Sequence, residues 1–218
     1  DVANFLYQQV LGIDLPWLDN LTRASRPTRL PAVLDRTEVA ALLQHLPPTT
    51  HLVAALLYGA GLRLLECLHL RVKDVDLARR CLTVREGKGV KDRPALLPPP
   101  LLPELRRHLV AVRDQHERDL AAGAGYVELP HALASKWPNA PREWAWQWVF
   151  PATRTYWHPE TLQRRRHHLH ETVIQRAVHT AAQLARVHGD IESPFLVKGV
   201  FYGAKLVTGL DEALAAFH

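Results

Sequence analysis

Apolar positions recur at helical spacing from residue 35 onward. Asp35, followed three residues later by Glu38, forms a capping-box pattern. It opens a helix whose apolar face carries Val39, Leu42, Leu43 and Leu46, and Pro47 and Pro48 close it. The nearly unbroken apolar run Leu52 to Tyr58 predicts a second helix, interrupted by Gly59 and Gly61, and a third begins near Arg63 and reaches about Leu70. The period then shortens. Val72 to Asp76 reads as a turn, Cys81 to Val84 as a strand, Glu86-Gly-Lys-Gly89 as a hairpin turn and Arg93 to Leu97 as the returning strand. Pro98 to Pro100 lead into a long charged helix, about Leu101 to Ala121. A loop-rich tract follows, with a short helix around Pro130 to Lys136 and with Trp137, Trp144, Trp146 and Trp148 close together. A last helix spans about His170 to Val187. The pattern predicts an α+β fold, mainly α, with a small antiparallel β-hairpin sheet.

Four segments follow from this reading. Residues 1–19 hold a helix and the loop after it, residues 20–34 are a polar, basic, Pro-containing linker, residues 35–188 form the main domain, and residues 189–218 are a divergent tail. Composition changes near Gly189: from Val187 to His218 there is no arginine, while Gly, Phe and Val become frequent. A frameshift or a recombined end would produce such a boundary. The chain has no methionine, so Asp1 is not an ordinary translation start, and a fragment is expected.

Composition narrows the partners. At 218 residues and 47% hydrophobic content the chain can fill one domain plus a small appendage. A net charge of +5, with thirteen histidines in addition, suits an anionic partner. The two cysteines, Cys67 and Cys81, have no CxxC spacing, which argues against a disulfide framework and for a reducing cytoplasm. No apolar run reaches the ~20 residues of a membrane span, and no signal peptide is visible.

Two constellations carry candidate chemistry. Arg63 follows the Gly-Ala-Gly helix break, where a planar guanidinium could grip two non-bridging phosphate oxygens beside a helix N-terminus. The bland alternative is a surface arginine capping a helix. Lys88 sits between two glycines at the hairpin tip, placed to donate a proton to a leaving oxygen; otherwise it is a solvated turn lysine. Lys91 and Arg93 suit phosphate contacts. The second constellation is the tryptophan cluster with the run Arg164-Arg165-Arg166-His167-His168. Aromatics beside basic residues suit unpaired bases, since stacking contributes ~1–3 kcal/mol per base. The alternative is a tryptophan-filled local core with a solvated basic loop. His167, His168 and His170 lack the HExxH or CxxC context of a zinc site, so no metal and no cofactor is expected.

The spacing Tyr58-Gly-x-Gly-x-Arg63-x-x-Glu66, then Leu70-Arg71-x-x-Asp74, and then the hairpin lysine, resembles the tyrosine recombinase (phage integrase) family. The Trp-rich segment and the Arg-Arg-His-His run narrow the resemblance to integron integrases, and it extends over residues 1–187. It implies a partial catalytic domain preceded by the last helix of a core-binding domain. Arg63 and Lys88 would be catalytic, with Glu66 supporting the arginine. Trp146, Pro159, His167 and His168 would contact flipped-out bases of a folded single-stranded site. The 130–136 helix would pack on a neighbouring protomer, implying a homo-oligomer on DNA. The family's set continues with an H-x-x-R box and a nucleophilic tyrosine. H-x-x-R occurs nowhere in these 218 residues, and Tyr202, the only later tyrosine, stands in a different context. The resemblance therefore implies site-specific DNA recombination in complete relatives, with this polypeptide inactive alone. The alternatives are a DNA-binding or protomer-interaction module without catalysis, and a degenerate gene remnant.

Overall fold

The chain divides into two units, Asp1–Leu30 and Pro31–His218. The computed structural model describes residues 10–12, 34–87, 91–130 and 133–186, with backbone alone at 86, 87, 91, 134 and 135. All but residues 10–12 of the helix and loop expected in residues 1–18, the linker to residue 33, Lys88 and the tail from 189 lie outside the described residues.

In the second unit, α1 (Arg36–Gln44) starts as the sequence predicts. The Asp35 carboxylate accepts from the Glu38 N–H, and Glu38 accepts from the Asp35 N–H. Pro48 stands in the first turn of α2 (Pro48–Ala60), where its missing N–H costs nothing. Leu52 through Tyr58 are all buried. A helix apolar on every side belongs at the centre of a domain, and α2 indeed contacts α1, α3 (Leu64–Leu68), α4 (Leu102–Ala121) and α6 (Glu171–Leu184). Leu42, Leu56, Leu57, Leu68, Leu105, Phe150 and Ile174 complete this core. Each fully buried leucine contributes roughly 1.5–3 kcal/mol relative to exposure. α2 ends at Gly61, whose φ of 62° is a left-handed cap that glycine adopts without a Cβ penalty. The chain thereby turns sharply into α3.

A three-stranded antiparallel sheet has the order β1 (Val75–Asp76), β2 (Cys81–Gly87), β3 (Lys91–Leu96), with Val84 opposite Arg93 and an irregularity between Val84 and Gly87. A short helix, α5 (Leu133–Lys136), precedes a second sheet of β4 (Pro151–Trp157) and β5 (Arg164–His168). This β4–β5 ribbon falls in the tract read from sequence as loop. Its second strand, Arg-Arg-Arg-His-His, has no apolar alternation to betray it, and of its five residues only Arg166 is buried. Val127, Leu129, Ala140 and Trp148 form a second, smaller core beside the ribbon. Mainly helical, with small antiparallel sheets, the fold is of the class expected.

Candidate nucleic-acid interface

Arg63 is the N-cap of α3, and Glu66 is the third residue of that helix. The i, i+3 spacing lets the Glu66 carboxylate accept from the Arg63 N–H at 2.9 Å and from Arg63 Nη1 at 2.8 Å. Its Oε2 also accepts from Arg93 Nη2 at 2.7 Å, joining β3 to the group. Glu66 is 8% exposed, whereas the arginine side chains are 49% and 39% exposed. One sheltered carboxylate thus aims two guanidinium groups outward, and the trio keeps a net positive charge. That is the geometry for receiving a phosphate. The helix dipole invoked from sequence adds little, because α3 has only five residues. Lys91 opens β3 opposite Gly87.

The next turn of chain carries a residue that the sequence placed in the motif without giving it a role. Arg71 is buried, and its guanidinium donates to the Trp146 carbonyl and the Glu128 carbonyl, both at 2.7 Å. It lies 3.8 Å from the centre of the Trp148 ring. Burial pushes its pKa down to about 10, against the opposing charges of Asp74 and Glu128, so it remains a cation at neutral pH. Asp74, also buried, accepts from the Arg71 N–H and from Arg85 Nε. Lys73 places its ammonium 3.5 Å from the centre of the half-buried Trp146 ring, a cation–π contact.

The basic run divides by burial and by partner. Arg164 is exposed and donates from Nε to Thr155 Oγ1 at 2.8 Å. Arg165, half-buried, donates to the Gln163 side chain. Arg166 is the buried member: its Nε and Nη2 close on the two Asp119 oxygens at 2.6 and 2.7 Å, and Nη1 reaches the Ala152 carbonyl. Pro159 is exposed in the turn between β4 and β5, and His167 is exposed on β5. His168 stacks edge-on against Trp148, with ring centres 5.3 Å apart, and against His69 at 4.5 Å. Its Nδ1 bonds the Leu169 carbonyl at 2.8 Å and so carries the hydrogen; Nε2 is then the acceptor for His69 Nε2–H at 3.0 Å. Burial above all, opposed by the Leu169 bond and aided by the neighbouring histidines, pushes His168 down to about 4. It is neutral at physiological pH, suited to hydrogen bonding rather than to charge.

A cleft of about 550 Å³ is lined by Glu66, His69, Arg71 and Arg85 together with Trp148, His167 and His168, while Arg63, Arg93, Trp146 and Arg164 are not among its lining residues. The volume is within the range of small-ligand sites. The family model of the phage integrases matches residues 32–194. The chain belongs to the phage integrase family. This phage integrase homologue is 41% identical over 207 residues to an Escherichia coli integrase/recombinase; the match covers 95% of this chain and 61% of that protein. It is also 46% identical over 94 residues to tyrosine recombinase XerA of Thermococcus kodakarensis, covering 42% of this chain and 33% of the relative. A crystal structure of XerA recombinase aligns with TM-score 0.48 and 19% identity, over 97% of this chain and 70% of that one. This family member thus spans less than two thirds of the length of the curated relatives it matches.

Proposed function

We propose that the chain is the DNA-gripping part of a cytoplasmic, integron-integrase-type tyrosine recombinase that acts on folded single-stranded sites. The observation that supports this best is the single carboxylate of Glu66, which pairs with Arg63 and Arg93 and lines the cleft that also holds Trp148 and His168. In this reading Arg63 grips the non-bridging oxygens of the reacting phosphate, Glu66 fixes the angle of the grip, and Lys88 protonates the leaving 5′-oxygen. Arg93, Lys91 and Arg164 hold flanking phosphates, with Arg165 tethered beside them. Trp146, Pro159, His167 and His168 meet extrahelical bases, and the α5 region meets a neighbouring protomer. Arg166 leaves the DNA-contacting set and becomes the internal anchor of the ribbon, because its fork is closed on Asp119. Recombination also requires an attacking tyrosine and a second arginine. Catalytic groups of this kind act as a unit, and these 218 residues contain no H-x-x-R. The polypeptide alone is therefore expected to bind without cleaving.

The test is a gel shift on a folded hairpin bearing extrahelical bases, competed by a fully paired duplex of the same sequence. Retention of the hairpin supports the integron-type surface, and equal competition removes it. Arg63→Ala is expected to keep the fold and weaken hairpin and duplex alike, with the salt dependence of binding reduced by about one phosphate contact. Unchanged affinity and salt slope would remove Arg63 from the interface.

A further inference from the structure

Two of the most exposed large apolar side chains among the described residues stand at one end of the β4–β5 ribbon. Trp157 is 67% exposed and Leu162 is 74% exposed. Leu162 has φ 51°, a left-handed conformation that a β-carbon disfavours. The loop is held there by paired backbone bonds: His158 N–H donates to the Gln163 carbonyl and Leu162 N–H to the His158 carbonyl, each at 2.9 Å. An exposed leucine in a strained backbone position serves neither packing nor local geometry, and such outliers point to a use outside the fold.

The surroundings identify that use. Trp157 pairs directly across the ribbon with the exposed Arg164, and Arg154, on β4, is exposed as well. From Pro151 to His168 the ribbon has four arginines against a single carboxylate, Glu160. One of the four, Arg166, is neutralised by Asp119. An aromatic plane flanked by outward arginines fits a polyanion that presents flat π-faces, which is a nucleic acid with unstacked bases. Trp146, by contrast, is half-buried with Lys73 over its ring. Trp157 is therefore the more open of the two planes.

We infer that Trp157, assisted by Leu162, is a wedge that stacks on an unpaired base of bound DNA while Arg154 and Arg164 hold the adjoining phosphates. The inference rests on the DNA-binding reading above, and it adds a contact outside the cleft. Fluorescence anisotropy with a labelled DNA hairpin containing unpaired bases, and with a matched duplex, tests it on the full 218-residue chain. Trp157→Ala is expected to weaken hairpin binding roughly 5- to 100-fold and duplex binding less than about twofold, with Trp157→Phe retaining most of the affinity. Leu162→Gly relieves the backbone and is expected to leave the melting temperature at or near the wild-type value while weakening the hairpin alone. Wild-type hairpin affinity in Trp157→Ala, while wild type binds DNA, would overturn the wedge and leave the DNA reading standing. No DNA binding by the wild type would overturn both. Unchanged DNA affinity in Trp157→Ala with a shift from dimer to monomer in sedimentation would make the ribbon a contact between protomers and overturn the wedge.

Discussion

Asp119→Ala is expected to cost about 3–5 kcal/mol of stability at pH 7, because it strands the buried Arg166 guanidinium without its counter-charge. The pair joins α4 to β5, across 47 positions of sequence, through two bonds of 2.6 and 2.7 Å. Removing one partner leaves a desolvated charge, whereas removing both leaves only a packing problem. Asp119→Leu combined with Arg166→Leu is accordingly expected to recover most of the loss. The effect also has a pH signature. Burial works to raise the Asp119 carboxyl, but the hydrogen bonds and charge of Arg166, helped by Gln115, outweigh it and hold it below the usual range. A carboxylate depressed in the folded state contributes its full stabilisation above the unfolded pKa of about 3.9 and loses it as pH falls through the folded value. Urea titrations should therefore show the gap between wild type and Asp119→Ala wide at pH 7 and narrowing below about pH 4. A gap under about 1 kcal/mol at pH 7 would show that Arg166 finds other partners.

The helices were legible because each rests on local signals. The Asp35–Glu38 box fixes the start of α1, whereas α2, expected over Leu52–Tyr58, starts earlier at Pro48, a proline read as closing α1, and runs through Gly59 to the left-handed Gly61. The long charged helix was expected from about Leu101 and is found at Leu102–Ala121, and the last was expected from about His170, which proves to be the N-cap of α6. The β2–β3 hairpin announced itself through Glu-Gly-Lys-Gly, and its strands are found at Cys81–Gly87 and Lys91–Leu96. Glu66 beside Arg63 followed from i, i+3 spacing. Arg93 closing on the same carboxylate did not, since sheet register brings it there from 27 residues away. The partnership of His69 with His168 spans 99 residues and has no local signal at all. The Arg-Arg-Arg-His-His run reads as uniform charge until Asp119, 47 positions away, pairs with Arg166 and separates it from the exposed Arg164. Arg71 looked like one more member of a motif. Its burial became visible only when the tract 126–150 was placed against it.

Arg71→Lys is expected to lower stability by about 2–4 kcal/mol and to remove the preference for hairpins with unpaired bases, while leaving duplex binding largely intact. The charge survives the substitution, but the geometry does not. The guanidinium spans two carbonyls, Trp146 O and Glu128 O, while its Cζ lies over the Trp148 ring, 3.8 Å from the ring centre. An ammonium reaches one carbonyl, leaves the other buried and unsatisfied at about 1–3 kcal/mol, and forfeits the planar stack, worth about another 1 kcal/mol. The consequence for binding is local. Arg71 ties the arginine-box segment to the Trp-rich tract, so its loss loosens Trp146, Trp148 and, through Trp148, His168. The Arg63–Glu66–Arg93 group is held by its own ion pairs and does not depend on Arg71. Hairpin selectivity and duplex affinity should therefore separate in this variant, whereas in Arg63→Ala they fall together. Thermal unfolding by circular dichroism establishes first that Arg71→Lys remains folded at the binding temperature. Competition between hairpin and duplex then reads the selectivity, and a folded Arg71→Lys with wild-type selectivity would show that the base-recognition surface holds its shape without the arginine fork.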